Sequence, residues 1–271
     1  MDFTRLKKLV VPEGTVKKVE IGGKTVWEAE TKIPYLGPNL GSSLTELQSI
    51  AIRASNFDAI RVGDYWTFSN VRYTYVNESD ATVSDTYSGT MRVADCDYYL
   101  NTGDIPCTTH HVVVVPDANM YKAKMNGTNT SSGGYAGCKM RTVHLRRAEA
   151  IFKACFGESH VLTHREYLVN EVRGTVGQCE AAGAWYDSTV ELLDERMLWN
   201  SIIYANTSLP CVSNKWLSLF KNDASRRGTG DWYWRRNIRD IAAFGLVNPD
   251  GTHNCTSASA SSGVRPFALI Y

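Results

Sequence analysis

Four histidines carry the first hint of chemistry: His110, His111, His160 and His164. The spacing of His160 and His164 would put two imidazoles on one helix face, as a metal pair requires. No third ligand stands at a recognisable spacing, and Gly157 to Tyr167 reads equally as a strand entering a turn, so no metal is expected. Glu166, Glu171, Glu191 and Glu195 supply carboxylates. Glu191 and Glu195 lie four apart in a helical pattern and read as solvated or paired with Arg196. The sequence contains no nucleophile elbow, zinc-protease helix motif, phosphate-binding loop or dinucleotide fingerprint. Gly133, Gly134 and Gly137 lack the spacing that such a fingerprint needs. The seven cysteines are scattered without a C-x-x-C pair and read as reduced, mostly buried thiols. Neither a catalytic residue nor a cofactor is expected.

The densest chemistry lies near the C-terminus, in Trp232-Tyr233-Trp234-Arg235-Arg236. Consecutive aromatics on a strand must point to both faces, so at least one packs inwards while another can meet a ligand. Arg235, Arg236 and Arg239 suit carboxylate pairing, ring stacking or ligand contact. Arg265 suits a buried hydrogen-bonding role anchoring the terminal strand. From Asn237 to Gly263 the amino-acid alphabet is restricted. Lys, Glu, Gln, Met and Trp make up 40 of the 271 residues, so this stretch should hold roughly four of them at the composition of the whole chain. It holds none. These five residues share one genetic property: no codon ending in a pyrimidine encodes them. A loop preference for small residues does not account for the pattern, because Ile238, Arg239, Ile241, Phe244, Leu246 and His253 are not small.

The elements that must position these residues follow from periodicity. Residues 1–30 read as a small β unit, with a turn at Pro12-Glu13-Gly14 and a hairpin signal at Gly22-Gly23. Its strands bury too little alone, so an attachment or oligomerisation role and a sheet lying on its own domain are both open. Residues 31–41, with Pro34, Gly37, Pro38 and Gly41, read as a linker. Residues 42–271 then form one domain: a helix from Ser43, strand-like Phe57 to Val76, a polar loop at Asn77–Gly89, and a strand from Met91. A buried strand follows at Val112-Val113-Val114-Val115. Asn126 to Gly137 reads as a loop, Met140 to Cys155 as a helix, Glu191 to Ile203 as an amphipathic helix capped by Asp187 or Ser188, and Cys211 to Lys221 as a short helix. Strands around Trp232–Arg236, Phe244–Val247 and Val264–Ile270 close the chain, with a turn at Asn248-Pro249-Asp250-Gly251. Strands, then helices, then a strand cluster define an α+β class.

Charged residues are 21% of the chain and the formal net charge is +1, which argues against a phosphate-tracking surface and hence against a nucleic-acid partner. No apolar run approaches the roughly 18 residues needed to cross a bilayer, and the start has no signal-peptide pattern, so membrane insertion is not expected and synthesis in a cytoplasm is.

Several motifs resemble a known family. Asp231-Trp232-Tyr233-Trp234-Arg235-Arg236, Phe244-x-x-Val247-Asn248-x-x-Gly251, Ala258-Ser259 and Gly263-Val264-Arg265-Pro266-Phe267 resemble the C-terminal signature of C-type-lectin-fold variable proteins of diversity-generating retroelements, of the phage major tropism determinant type. His110 to Asp117, Asn126-x-Thr128-Asn129-Thr130, Thr163 to Leu168 and Ala184 to Ser188 are similar to phage members of the same group. The resemblance spans about residues 40–271. It implies a C-type-lectin-like fold (shared with formylglycine-generating enzymes) and a virion protein of a phage tail that binds a host cell-surface protein or glycan. It further implies contacts with other tail proteins and a homo-oligomer, with a trimer expected. Adenine mutagenesis in such systems turns AAY codons into NNY codons, which leaves the restricted alphabet described above. The implied variable region is about 237–262. Its implied ligand-binding residues are Tyr233, Arg236, Asn237, Arg239, Asp240, Ile241, Ala243, Leu246, Asn248, Pro249, Asp250, His253, Asn254, Thr256 and Ser261. Arg235 and Asn237 depart from the Leu and Ser common in related sequences, so the edge of the region is not fixed by the resemblance. The calcium-ligand motifs of sugar-binding lectins are missing, and Cys255 has no partner cysteine near it in sequence, unlike the active site of a formylglycine-generating enzyme. The alternatives that remain are a non-variable structural tail or baseplate protein of this fold and, less favoured, such an enzyme.

Overall fold

A computed structural model describes residues 10–11, 14–15, 18–21, 24–28, 33–174, 179–211 and 215–271. The chain divides into two units, Met1–Pro34 and Tyr35–Tyr271. In the smaller unit β1 (Val10–Val11) pairs with β2 (Gly14–Thr15), and β3 (Lys18–Ile21) pairs antiparallel with β4 (Lys24–Glu28). The Pro12-Glu13 and Gly22-Gly23 connections lie outside the described residues.

The larger unit starts earlier than the expected boundary at residue 42. Leu36 N–H donates to Ala59 O, Tyr65 N–H to Pro38 O and Leu40 N–H to Tyr65 O, so residues 36–40 are laced to the domain rather than forming a free linker. Helix α1 (Glu46–Arg53) is capped by Thr45, two residues beyond the expected Ser43, because Thr45 and Gln48 satisfy each other's backbone amides as a capping box. Strands β5 (Tyr65–Val76) and β6 (Thr82–Cys96) form a long hairpin. The expected polar loop at 77–89 is therefore only a turn. Polar residues from Thr82 onward occupy a two-stranded ribbon that buries Tyr73 and Tyr87 and leaves most of their neighbours exposed, where composition does not separate strand from loop.

Strand β7 (Val112–Pro116) is buried throughout, as its apolar run requires, and β8 (Tyr121–Lys124) follows. The short α2 (Gly134–Gly137) leads to a π-helical turn (Met140–His144) and α3 (Leu145–Phe156). Phe156 of α3 meets Trp66 and Phe68 edge-on at centroid distances of 5.1 and 5.2 Å, which docks this helix on β5. The short β9 (Val161–Leu162) precedes a second hairpin, β10 (His164–Val172) with β11 (Glu180–Ser188). The expected helix at 191–203 divides into β12 (Val190–Leu192) and α4 (Glu195–Trp199), capped by Asp194 rather than Asp187 or Ser188. The pairing of β12 with the C-terminal strand overrides the helical periodicity. Helix α5 (Ser218–Asn222) and strands β13 (Tyr233–Asp240), β14 (Ala243–Val247), β15 (His253–Ser257), β16 (Ser261–Val264) and β17 (Pro266–Ile270) complete the chain.

The larger unit is thus a mixed α+β structure dominated by β-sheet, as expected for the class. One sheet runs β12-β17-β7-β6-β5, with β9 also on β17; a second runs β15-β14-β13-β16-β8. The core joins Tyr98, Tyr99, Val113, Val115, Leu193, Met197, Phe220, Tyr233, Val247 and Phe267, residues drawn from both sheets and from α4 and α5. The C-terminal strand β17 pairs with β7, β9 and β12, so the last residues of the chain close the first sheet.

Candidate functional site: the β13–β16 region and its buried support

Between Trp234 and Ile238, β13 bulges away from β14. Trp234 pairs with Leu246 and Ile238 with Phe244, leaving three residues of β13 opposite Gly245 alone. Those three, Arg235, Arg236 and Asn237, are captured by the segment before α4. Arg236 N–H donates to Leu193 O, and Glu195 N–H donates to Asn237 Oδ1 at 2.8 Å. Arg235 is fully buried, 2.8 Å from Glu195 Oε2, with its guanidinium 5.2 Å from the Trp199 ring centre and 4.7 Å from that of Tyr204. Gly245 is required here, because a Cβ at this position would come within 2.4 Å of Arg235 Nε.

Two buried carboxylates hold the region together. Glu195 accepts from the backbone amides of Ile203, Tyr204 and Ala205 in addition to Arg235. Glu180 accepts from Ile238 N–H and Asn206 N–H; burial, reinforced by the neighbouring Glu195 and Asp194, lifts its pKa to about 7. Arg236 bridges Glu166 and Asp194, both at 3.1 Å. Burial alone would raise the pKa of Glu166, but Arg236, His164 and Tyr99 around it prevail and bring it to about 2. A cavity of about 40 Å³ lies against Glu180, Asp194, Arg236 and Asn237, room for no more than a water or two.

This geometry corrects several sequence-based expectations. Glu195 and Glu191 are not solvated: Glu191 lies in β12 and accepts from Tyr135 O–H (2.6 Å), Ser188 O–H (2.7 Å) and Arg141 Nε (2.9 Å). His160 and His164 do not share a helix face. His160 is in a 3₁₀ turn against the Tyr271 carbonyl, and His164 is buried in β10 beside Glu166. Among the described residues no group of three His, Cys, Asp or Glu is placed to hold a metal. Tyr233, Arg236, Asn237, Ala243 and Leu246, expected at a ligand surface, are all buried. The bulge explains Arg236 and Asn237, and the strand pairing of β13 and β14 explains the other three. Trp232 alone of the aromatic triplet remains exposed, at 41%. Arg265 takes the anchoring role: its Nε donates to Pro116 O and its Nη1 to Arg227 O and to Tyr233 Oη.

The exposed residues do not form one patch. Paired positions of antiparallel strands share a face, so Val247, Gly245 and Ala243 lie with His253, Cys255 and Ser257, while Leu246 and Phe244 lie with Asn254 and Thr256 on the other face. The turns at the two ends of β14 are about 15 Å apart, from its five-residue length. At one end Arg239, Asp240 and Ile241 are presented (Ile241 is 53% exposed), braced by Ser131, which donates from N–H to Ile241 O and from O–H to Asp240 O. At the other, Asn248, Pro249, Asp250, His253 and Asn254 surround the turn expected from the sequence. There Gly251 has φ +88° and donates to Asn248 O, while Asn254 Nδ2 donates to Asn248 Oδ1 and the Trp199 ring abuts His253. Thr256 is half-buried on β15, and Ser261 is exposed on β16, opposite Lys124. Sequence reasoning missed Trp199 and Tyr204, which support this region from a segment read as amphipathic helix and loop.

Comparison with family models, with curated proteins and with solved structures gives no match to this chain. Among the described residues no helix is long and apolar enough to cross a membrane.

Proposed function

We propose that the protein is a phage or prophage receptor-binding protein that displays a diversified surface on a C-type-lectin-like scaffold. The observation that carries this reading is a coincidence. The stretch without Lys, Glu, Gln, Met and Trp, residues 237–263, covers the end of β13 through most of β16 and supplies both exposed turns of the second sheet. The residues that flank it, Trp234, Arg235 and Arg265, are fully buried. A replaceable segment held between fixed anchors is what adhesion by a variable face needs, since loop side chains can then change without unfolding the domain. The ligand-facing set narrows to Arg239, Asp240, Ile241, Asn248, Pro249, Asp250, His253, Asn254, Thr256 and Ser261. Eight of these fall into two groups at the ends of β14, with Thr256 on β15 and Ser261 on β16 apart from them, so each contact area is small. Homotrimerisation and multiple copies on a phage tail would supply avidity, with the N-terminal β unit as the attachment or oligomerisation piece. The ligand is a host cell-surface protein or glycan.

The test combines Arg239→Ala, Ile241→Ala and His253→Ala in the full chain. The triple variant keeps the parent's melting temperature and loses adsorption to bacteria that bind the parent. Undiminished adsorption refutes the assignment of the face, and impaired particle assembly with normal adsorption favours a structural tail protein. A template repeat with adenine substitutions and a reverse transcriptase gene beside the coding region is expected in the source DNA.

A further inference from the structure

On β8, the opposite edge of the second sheet from β15, a separate cleft of about 500 Å³ opens between that strand, the tip of the β5–β6 hairpin and the π-helical turn. Its volume falls within the range of small-molecule sites. Lys122, Lys124, Lys139 and Arg147 line it together with His144, against Glu78 as the acidic lining residue, while Asp231 and Asp85 outside the lining pair with Lys122 and Arg147. In a chain of net charge +1 this is a local concentration of cations, and a concave wall focuses their field.

The cations are held in place by different means. Arg147 Nη2 lies 2.7 Å from Asp85, its Nε donates to Tyr73 Oη at 2.8 Å, and its guanidinium stands over the rings of Tyr75 and Tyr121 at 5.5 and 4.8 Å. Tyr121 O–H in turn donates to His144 O, tying β8 to the π-helical turn. Such turns are uncommon and recur at functional sites. Lys122 bridges Asp231 at the rim, and Lys124 is exposed. Glu78 reaches in from the exposed turn that joins β5 and β6. Its carboxylate contacts the Lys139 ammonium and lies 4.0 Å from His144 Nε2. Its hydrogen bond from Lys139 holds it below the ordinary carboxylate range. The anion position among these cations is therefore filled by the chain's own carboxylate, carried on a side chain still half exposed.

We propose that this cleft binds an acidic saccharide, one bearing a uronic carboxylate or a sulfate, and that the ligand's anionic group displaces Glu78 from Lys139 and His144. The polar, tyrosine-edged walls and a volume suited to one to three sugar rings favour a saccharide over a simple ion. The site adjoins the β13–β16 region through the pairing of β8 with β16, has its own lining, and stands whether or not that region is an adhesive face.

The experiment is calorimetric titration of the full chain with trigalacturonate, a sulfated disaccharide, a neutral trisaccharide and a single-stranded DNA oligonucleotide. Binding of one or both acidic saccharides is expected, weakening as salt is added, with the first two probes separating carboxylate from sulfate. Glu78→Gln should tighten that binding about fivefold, the range of a half-exposed ion contact. Lys124→Glu and Lys139→Glu should each weaken it by about tenfold or more, with melting temperatures near the parent's. No binding of either acidic saccharide, equal binding of the neutral sugar or the oligonucleotide, or a Glu78→Gln variant that binds no tighter overturns the proposal.

Discussion

Replacing Arg235 by Met tests whether the β13 bulge is a fixed anchor for the segment that follows it. Met keeps the apolar stem beside Trp199 and Tyr204 but removes the charge that faces Glu195 at 2.8 Å, with both side chains fully buried. Breaking a buried pair from one side costs about 3–5 kcal/mol, because the remaining charge is stranded. Glu195 keeps its hydrogen bonds from the amides of Ile203, Tyr204 and Ala205, so the lower end, about 3 kcal/mol, is expected. At about 2–4 °C per kcal/mol for a domain of this size, that is roughly a 10 °C fall in melting temperature. Urea unfolding followed by tryptophan fluorescence measures it. Hydrogen exchange at Ile203 to Ala205 should accelerate if Glu195 loosens its hold on that loop. Adding Glu195→Gln removes the stranded charge, and the double variant should recover at least about 1 kcal/mol relative to the sum of the single losses. An Arg235→Met loss below about 1 kcal/mol, or single losses that simply add, would show that this pair does not anchor the bulge.

The exposed and buried members of the expected ligand set should separate by stability: Ile241→Asn and His253→Tyr should each stay within about 0.5 kcal/mol of the parent, as surface changes do. Leu246→Ala, from a site 4% exposed, should lose about 2–5 kcal/mol in the same unfolding assay. Equal tolerance at all three would contradict the division into scaffold and surface. Glu180 should give the protein an acid-side stability increment. Its pKa rises from 4.5 to about 7 on folding, so the folded state binds more protons between those values. Stability from this group is full below pH 4.5 and is lost as pH rises through 7, by about 3 kcal/mol at most. Burial lowers the pKa of His111 and His144, which act in the opposite sense, so the measurement is the difference between the parent and Glu180→Gln across pH 5–8. A difference that does not vary with pH would reject the assignment.

Strands with an unambiguous signal needed no tertiary information. The Val112–Val115 run is a buried strand because four consecutive β-branched residues admit little else, and the Asn248–Gly251 turn forms because Gly251 supplies the positive φ. The α+β class, the helix from Met140 onward and the buried anchoring by Arg265 were equally legible. Other features depended on partners far away in sequence. Glu191 and Glu195 have the spacing of a solvated helix pair, but β17 recruits the first into a strand and Arg235 draws the second into the interior. Tyr233, Arg236, Asn237, Ala243 and Leu246 belong to or border a stretch of surface-like composition, yet strand pairing and the bulge bury them. The sequence by itself set the stretch 237–263 apart by its restricted alphabet and located most strands and turns. Only the tertiary structure decided which of those residues meet solvent and that most of them gather at two ends of β14. Exposure depends on what packs against each face, and that is settled partly by neighbouring strands and partly by residues forty or more positions away, as Glu195 is from Arg235.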